Sequence, residues 1–470
     1  MKNTKDIPLT IKETQEGLLK KKFSAMELVD AYLGKIDEEK DLNAYITICD
    51  DEAYKKAGEV DKLIANNSLD FSENFPLLGA TIGHKDLFLT KGIRTTAASK
   101  VLNGYVPAYS ATAVARMEKA GGIILGKTNC DAWAHGASGE NSDFGPTKNP
   151  WNKKFVPGGS SSGSAVSVAA GLSLIATGTD TGGSIRQPAN FCGVVGLKPT
   201  YGAVSRYGII AMASSLDSVG NFGKSVADVE TVFNVTKGED GRDSTVKNAE
   251  FIKPKGKIKI GIPKEYFVEG VDKEVAESVI KVSKVFEKAG IELREISLPH
   301  TKYAISVYYI VQPAEVSSNL GRYDGIRYGN PRADFGAEAK RRIMLGTYVL
   351  SAGYYDAFYL KAQKVRSKLI GDFEAAFETV DAILAPVSPT PAFKLGEKAS
   401  DPLKMYLADI FTAPANLAGI PGLSIPSGFN EGGLPLGFQL LGPRFSEPVL
   451  FELGKLYEKE TDYKAILPNL

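Results

Sequence analysis

Short apolar runs alternate with longer amphipathic stretches along most of this 470-residue chain. Glycine or proline lies beside most of the short runs, which is typical of buried β-strands. The clearest helix is predicted at Asp272–Ala289, where apolar side chains recur on one stripe and Gly290 follows as a stop signal. Because strands alternate with helices, the pattern predicts an α/β fold with a largely parallel or mixed sheet. The predicted strands are 77–82, 123–125, 174–177, 258–262, 382–385, 423–425 and 436–441.

The first part of the chain, to about residue 70, is predicted to be helical. Ser24 and Glu27 have the spacing of a capping box, and apolar residues recur after them on one helical face. The polar stretch Thr236–Lys257 is either a domain linker or an excursion loop, and both interpretations remain open. The segment Arg322–Arg342 is polar, basic and interrupted by glycine and proline, so we predict a surface loop near an anionic group.

Charge and composition exclude several classes of protein. The 56 Lys and Arg residues nearly balance the 55 Asp and Glu residues, which argues against a protein that mainly coats nucleic acid. The longest weakly polar stretch, Ala165–Gly178, is too short to span a bilayer, and the N-terminal residues lack the apolar core of a signal peptide. Cys49, Cys130 and Cys192 are widely separated and form neither a disulfide framework nor a zinc motif. We therefore expect a cytoplasmic protein without membrane contact.

Histidine is scarce, with His84, His135 and His300 as the whole set. Three histidines provide few candidates for a catalytic base and few ligands for a metal site built from several histidines. We therefore predict no metal site, and we expect any hydrolytic chemistry to use another base.

Two serine- and glycine-rich stretches lie at 157–164 and 178–186, with small apolar residues and a predicted strand between them. A flexible linker would not occur twice, each time beside a core element, and the phosphate-binding motif G-x-x-x-x-G-K-[ST] is absent. A turn such as Thr181–Ser184 exposes backbone N–H groups, which can hold an oxyanion while a serine attacks. The two stretches therefore indicate nucleophilic catalysis.

A serine nucleophile needs a base, and Lys85 is the natural candidate because it follows the predicted strand 77–82. Burial would disfavour its charged form and make it a base. A lone lysine is most often a solvated surface residue, so a Ser/Lys hydrolase and an ordinary surface lysine remain open on these features alone.

The sequence around these residues resembles the amidase signature family. The shared motifs are Lys85-Asp86, the stretch 158–164 (GGSSSGS), the stretch 180–189 (DTGGSIRQPA) and the stretch 191–200 (FCGVVGLKPT). The resemblance implies a triad in which Ser184 is the nucleophile, Ser160 follows a cis peptide bond and bridges, and Lys85 is the base. It also implies an oxyanion hole built from the N–H groups of Thr181, Gly182, Gly183 and Ser184. For the fold, it implies one domain over residues 1–470 with a central mixed, largely parallel twisted sheet covered by helices on both faces.

Further stretches are similar to one branch of that family, the glutamine-hydrolysing subunits of tRNA-dependent amidotransferases. They are 138–151, 202–217, 321–329, 340–366 and 414–421. This resemblance implies that Arg342 holds the α-carboxylate of glutamine and Asp409 its α-amino group, with Tyr308 as a further pocket residue. A zwitterion needs one fixed cation and one fixed anion, and arginine can grip a carboxylate through two hydrogen bonds.

The same resemblance implies what lies outside the chain. Ammonia would pass to a partner that converts Glu-tRNA(Gln), Asp-tRNA(Asn) or both. The chain itself would need no cofactor, while ATP, Mg²⁺ and most contacts with the misacylated tRNA would belong to the B subunit of the amidotransferase, and a small C subunit would complete the complex. Two alternatives remain: a free-standing amidase that acts on other small amides, and a scaffold protein that has lost turnover.

Overall fold

The computed structural model describes residues 7–66, 74–254, 256–267, 270–327, 329–398, 401–463 and 466–470. Eleven strands are present in that part of the chain, and they form one sheet. In chain order they are β1 (Tyr45–Ile48), β2 (Thr81–Lys85), β3 (Ile123–Thr128), β4 (Ile175–Asp180), β5 (Val195–Lys198), β6 (Ser218–Gly223), β7 (Lys259–Pro263), β8 (Glu292–Ile296), β9 (Ala382–Pro386), β10 (Gly422–Phe429) and β11 (Pro435–Leu441).

The strands lie side by side in the order β1-β3-β2-β4-β6-β5-β10-β11-β9-β7-β8. The prediction of a mixed sheet within an α/β fold is confirmed, but the sheet is less parallel than we expected. Four neighbouring pairs are parallel and six are antiparallel. Antiparallel pairs predominate because β5 and β6 run against their neighbours and β10 and β11 are joined by a short hairpin.

Helices flank this sheet. Within the described residues the α-helices are α1 (Ile11–Leu19), α2 (Ala25–Glu38), α3 (Asp50–Ala65), α4 (Thr112–Lys119), α5 (Ser162–Ala169), α6 (Arg186–Cys192), α7 (Val226–Thr236), α8 (Lys273–Lys288), α9 (Ala304–Asn319), α10 (Ala337–Val349), α11 (Lys361–Phe377), α12 (Pro402–Tyr406), α13 (Ala413–Ala418) and α14 (Glu447–Glu460). None of them is long and apolar enough to cross a membrane.

Capping side chains set the helix starts that the sequence predicts. The Ser24 hydroxyl accepts a hydrogen bond from the Glu27 N–H while the Glu27 carboxylate accepts from the Ser24 N–H, so the capping box forms as expected. The Asp272 side chain caps α8 in the same region where the apolar stripe begins. Both caps satisfy N–H groups that the first helical turn leaves without a partner.

Two of our sequence predictions need correction here. The N-terminal segment to about residue 70 is not helical throughout, because Tyr45–Ile48 forms an edge strand on β3; residues 1–6 and 67–70 of that segment lie outside the described residues. The segment Arg322–Arg342 is not a loop along its whole length, since α10 begins at Ala337 and contains Arg342. Of its basic residues, Lys340, Arg341 and Arg342 lie on α10, where Arg342 is buried, and Arg322, Arg327 and Arg332 precede the helix.

The polar stretch 236–257 connects α7 to β7, and its described residues after Thr236 lie outside helices and strands. Strands from before and after this stretch belong to the same sheet, which favours the excursion loop over the linker.

The sheet brings Lys85 close to the second serine- and glycine-rich stretch. β2 and β4 are parallel neighbours, so the last residues of both strands, Lys85 and Asp180, lie at the same edge of the sheet. Each serine- and glycine-rich stretch runs directly into a buried helix, α5 from Ser162 and α6 from Arg186. In an α/β sheet, ligands usually bind in a crevice at the carboxyl ends of the strands. The carboxyl ends of β2 and β4 are therefore the expected place for an active site.

Candidate active site

Lys85 is fully buried at the end of β2, so it is not the solvated surface lysine that remained open from the sequence. Its Nζ lies 2.8 Å from the Ser160 Oγ, 2.9 Å from the Ser161 Oγ and 2.8 Å from the Thr179 Oγ1. No carboxylate in the described part of the chain forms an ion pair with this amine. Three hydroxyl groups therefore surround a buried amine.

Burial lowers the pKa of Lys85 from 10.5 to about 8, although the nearby carboxylates of Asp131, Asp180 and Asp217 act in the opposite direction. At pH 7 about a tenth of the amine is then uncharged. His84, the neighbour of Lys85, does not supply a second charge. Burial, assisted by the charge of Lys127, lowers the pKa of His84 to about 3, so its neutral ring packs against Phe88.

The hydrogen-bond pattern indicates which hydroxyl can give a proton to the uncharged amine. A charged lysine amine donates three hydrogen bonds, whereas an uncharged one donates two and has one lone pair. The Ser161 hydroxyl donates to the Thr179 carbonyl at 3.3 Å, so it is an acceptor toward Lys85. The Ser160 and Thr179 hydroxyls have no such competing acceptor among the described residues, so either is suited to donate to the lone pair. Ser160 is the one of the two that the family resemblance assigns to the proton path.

Ser184 lies next to this cluster, on the turn between β4 and α6. The Ser161 N–H donates to the Ser184 carbonyl at 3.2 Å, and the Gly159 N–H donates to the Gln187 side-chain oxygen at 2.9 Å. These bonds join the two serine-rich stretches directly. The Gly159–Ser160 peptide bond is cis, as the resemblance implies.

The turn that carries Ser184 is folded around one buried carboxylate. Asp180 accepts hydrogen bonds from the N–H groups of Gly183, Ile185 and Arg186, and both its oxygens accept from the Arg186 guanidinium. Burial alone would raise the pKa of Asp180, but the charges of Arg186 and Lys198 and the hydrogen bonds from Arg186 and Asn416 together outweigh it and lower the pKa to about 2. The carboxylate stays ionised and fixes the turn.

The same carboxylate changes the predicted oxyanion hole. The Gly183 N–H donates to Asp180 at 2.9 Å, so it is not free to hold an oxyanion as we expected. The N–H groups of Thr181, Gly182 and Ser184 have no hydrogen-bond acceptor among the described residues. Gly183 contributes in another way, since its φ of +139° and its contact with Thr412 exclude any side chain at this position.

A pocket of about 260 Å³ opens over Ser184. We call it the Ser184 pocket; its lining includes Ser184, His135, Tyr308, Arg342, Tyr406 and Asp409. Four residues proposed from the sequence for nucleophile and substrate binding therefore line one cavity, although they are spread over more than 200 residues of the chain. Lys85 and Ser160 do not line it, because they are buried beneath it.

Arg342 is a buried cation in this lining and is held from three sides. Its Nε donates to Glu338 at 2.8 Å and its Nη1 donates to the Gln312 side-chain oxygen at 2.6 Å. The guanidinium also lies 5.1 Å from the centre of the Tyr309 ring and 5.4 Å from that of Tyr406, distances typical of cation–π contacts. These contacts fix the planar group and leave its Nη2 without a partner among the described residues.

Asp409 provides the anion of the pocket. Its carboxylate accepts a hydrogen bond from the Tyr309 hydroxyl at 3.3 Å. Burial raises its pKa to about 7, while the charge of Arg342 acts in the opposite direction. A bound ammonium group would favour the ionised carboxylate in the same way that any nearby cation does. Tyr308 packs against the turn, since a side chain on Gly182 would lie 2.6 Å from the Tyr308 ring.

Sequence reasoning missed several residues that build this site. Tyr309, Tyr406 and Gln312 hold Arg342, and no spacing in the sequence connects them to it. Thr179 and Ser161 complete the cluster around Lys85; both lie inside or beside the motifs that carried the resemblance, but no role followed from their residue type. The Asp180–Arg186 ion pair could have been found, because the two residues are six apart in a stretch that was already predicted to be catalytic.

Comparisons with known proteins identify the family of this chain. The family model described as Amidase matches residues 27–451. The A subunit of glutamyl-tRNA(Gln) amidotransferase from Carboxydothermus hydrogenoformans is 50% identical over an alignment of 485 positions. The alignment covers 98% of this chain and 99% of the relative. The crystal structure of the A subunit of glutamyl-tRNA(Gln) amidotransferase from Thermotoga maritima aligns with a TM-score of 0.83 at 38% identity, covering 100% of this chain and 98% of that one. The peptide amidase of Stenotrophomonas maltophilia has the same TM-score of 0.83 at 29% identity and covers 98% of this chain and 99% of its own. The chain belongs to the amidase family.

Proposed function

We propose that this chain is the glutamine-hydrolysing subunit of a tRNA-dependent amidotransferase. It releases ammonia from glutamine, and a partner protein uses that ammonia to convert Glu-tRNA(Gln), Asp-tRNA(Asn) or both. The observation that carries the proposal is a buried lysine next to two serine-rich segments, beneath a pocket that contains one fixed cation and one fixed anion. The likeness to the A subunits of two glutamyl-tRNA(Gln) amidotransferases supports the same choice within the family.

Substrate binding follows from the two charges of the Ser184 pocket. The Nη2 of Arg342 meets the α-carboxylate of glutamine, and Asp409 meets the α-ammonium group. Between these ends the side chain of glutamine extends toward Ser184. The N–H groups of Thr181, Gly182 and Ser184 receive the amide oxygen, where negative charge develops during attack.

The reaction begins with proton transfer away from Ser184. Uncharged Lys85 takes the proton of Ser160, and Ser160 takes that of Ser184 as its Oγ attacks the amide carbon. The tetrahedral species expels ammonia, with the proton returned along the same path, and leaves a γ-glutamyl ester on Ser184. Water then attacks the ester and releases glutamate.

The proposed partners are the B and C subunits of the amidotransferase. ATP and Mg²⁺ bind to the B subunit, which also makes most contacts with the misacylated tRNA. The C subunit is the third member of a heterotrimer. We place the complex in the cytoplasm, in keeping with three buried cysteines that are free thiols.

The test is an assay of the full chain co-purified with candidate B and C subunits. We expect glutamine- and ATP-dependent amidation of Glu-tRNA(Gln), and Ser184→Ala should abolish it while leaving the complex assembled. Added ammonium salt should restore amidation in the Ser184→Ala complex, because the partner needs only ammonia. Normal glutamine hydrolysis by Ser184→Ala would contradict the proposed nucleophile.

A free-standing amidase is the second candidate, and the likeness to a peptide amidase favours it. It predicts that simple aliphatic or aryl amides turn over faster than glutamine. Arg342 and Asp409 favour glutamine instead, since such amides carry no pair of charges for them to bind.

A further inference from the structure

His135 is a buried polar residue that the proposed reaction does not use. It is fully buried and lines the Ser184 pocket, but neither of its ring nitrogens has a hydrogen-bond partner in the described structure. A buried polar group without a partner is costly, and the loss is recovered only when a ligand or a neighbour satisfies it. Its position in the lining makes a bound substrate the partner to consider.

The backbone around His135 holds the ring in one place. The His135 N–H donates to the Ala132 carbonyl at 3.0 Å, and the His135 carbonyl accepts from the Asn141 side chain at 2.6 Å. Asp131 accepts from the N–H groups of Gly139 and Asn141 and so closes the loop behind it. The preceding residues, Trp133 and Ala134, adopt φ values of 59° and 63°, which residues with side chains rarely adopt. These bonds fix the backbone position from which the imidazole enters the pocket lining.

The surroundings of His135 indicate its charge and the end of the pocket that it serves. Burial lowers its pKa well below 6.5, and the charge of Arg342 lowers it further, so the ring is neutral, with one N–H donor and one acceptor. Trp133, two residues before His135, packs against Phe335 with ring centres 5.3 Å apart, and Phe335 lies just before α10. The loop that carries His135 therefore borders the helix that carries Arg342.

We propose that His135 donates a hydrogen bond to the α-carboxylate of the bound substrate, beside Arg342, and selects substrates that carry this carboxylate. The inference rests on the proposed glutaminase function. Arg342 supplies the charge, while His135 supplies a directed neutral donor that needs no counter-ion. The residue acts in substrate binding and takes no part in proton transfer to Ser184.

Two amides separate this role from a structural one. Glutamine carries the α-carboxylate, and 4-aminobutanamide lacks it but keeps the amine and the reacting amide. In the complex of the full chain with its partner proteins, we expect His135→Leu to raise KM for glutamine about tenfold with little change in kcat. The same variant should change kcat/KM for 4-aminobutanamide less than twofold. His135→Asn keeps a side-chain N–H donor and should recover part of the lost affinity for glutamine.

Each outcome of this experiment supports or overturns the inference. Equal losses for both amides, or no change in KM for glutamine, would overturn the role of His135 while leaving the glutaminase intact. A wild-type complex that does not hydrolyse glutamine would overturn the proposed function and this inference with it. If His135→Leu does not fold, His135→Met takes its place, since it also lacks the donor. A rise in KM confined to glutamine then supports the inference, and equal losses for both amides or no change for glutamine overturn it.

Discussion

The Arg186 guanidinium binds both carboxylate oxygens of Asp180, from its Nε and Nη2 at 3.1 Å each, with both side chains fully buried. The same carboxylate accepts the N–H of Gly183, one residue before the proposed nucleophile. This ion pair therefore has a structural role at the site, because it fixes the turn that carries Ser184.

Removing one member of this pair should destabilise the protein. Arg186→Met leaves Asp180 as a buried charge without its counter-ion, which typically costs about 3–5 kcal/mol. We expect a loss of that size in the free energy of unfolding, measured by urea denaturation. Lys20→Ala is the matched control, since it removes an exposed ion pair with Glu16 and should leave stability nearly unchanged. A loss in Arg186→Met no larger than in the control would contradict the assigned role.

The neighbouring arginines of α10 allow a matched test of substrate binding. Arg342→Lys removes a guanidinium whose Nε and Nη1 are already held by Glu338 and Gln312, and a lysine amine cannot keep those bonds and reach the substrate as well. We expect kcat/KM for glutamine to fall about 10- to 100-fold, mainly through KM, in an assay of ammonia release. Arg341 also contributes to the lining of the pocket, but its side chain is 43% exposed, and Arg341→Lys keeps the positive charge, so it should change kcat/KM less than threefold. Equal effects of the two substitutions would show that Arg342 is not the specific ligand.

Glutamine binding should depend on pH through Asp409. The pKa of this carboxyl is raised to about 7, and only the ionised form holds an ammonium group. The affinity for glutamine is therefore highest above that pKa and falls about tenfold for each pH unit below it. Calorimetric titration of the Ser184→Ala variant with glutamine measures this without turnover. In a Ser184→Ala/Asp409→Asn double variant, binding should be weaker and nearly independent of pH from about 5.5 to 7.5; an unchanged slope would assign the ionisation to another group.

The sequence predicts the elements of this fold better than their arrangement. The strand cores at Ile123, Leu423 and Leu436 were predictable because each lies in an apolar run bounded by glycine or proline. Four strands were missed, namely Tyr45–Ile48, Val195–Lys198, Ser218–Gly223 and Glu292–Ile296. Tyr45–Ile48 is a half-buried edge strand, and Ser218–Gly223 contains two glycines, which weaken any strand pattern.

The residues of the candidate site also differ in how far the sequence alone could predict them. Lys85 and the turn that carries Ser184 were candidates from the sequence alone, because strand ends and glycine-rich turns mark where backbone and reactive side chains meet. The bridging role of Ser160 and the choice of Ser184 as nucleophile followed only from the family resemblance. Arg342, Asp409 and Tyr308 followed only from the family resemblance, although the structure brings them to one pocket. His135 and Gln312 could not be predicted at all, because their roles depend on contacts between α9, α10 and a distant loop. The Gly183 N–H was predicted as an oxyanion donor, but in the structure it donates to Asp180, and nothing in the sequence shows that this side chain turns back to accept it.

The central claim is that an uncharged Lys85, acting through Ser160, activates Ser184. Burial lowers the pKa of Lys85 to about 8, so the uncharged form is lost as pH falls below that value. The most direct test is the rate at which a fluorophosphonate labels Ser184 from about pH 6 to pH 10, with the labelled residue identified by mass spectrometry and Ser184→Ala as the blank. We predict that the rate rises about tenfold per pH unit to a midpoint near 8 and then levels, whereas Lys85→Met labels slowly and shows no midpoint. Labelling of Lys85→Met at the wild-type rate, or a wild-type rate that does not change across this range, would contradict the claim.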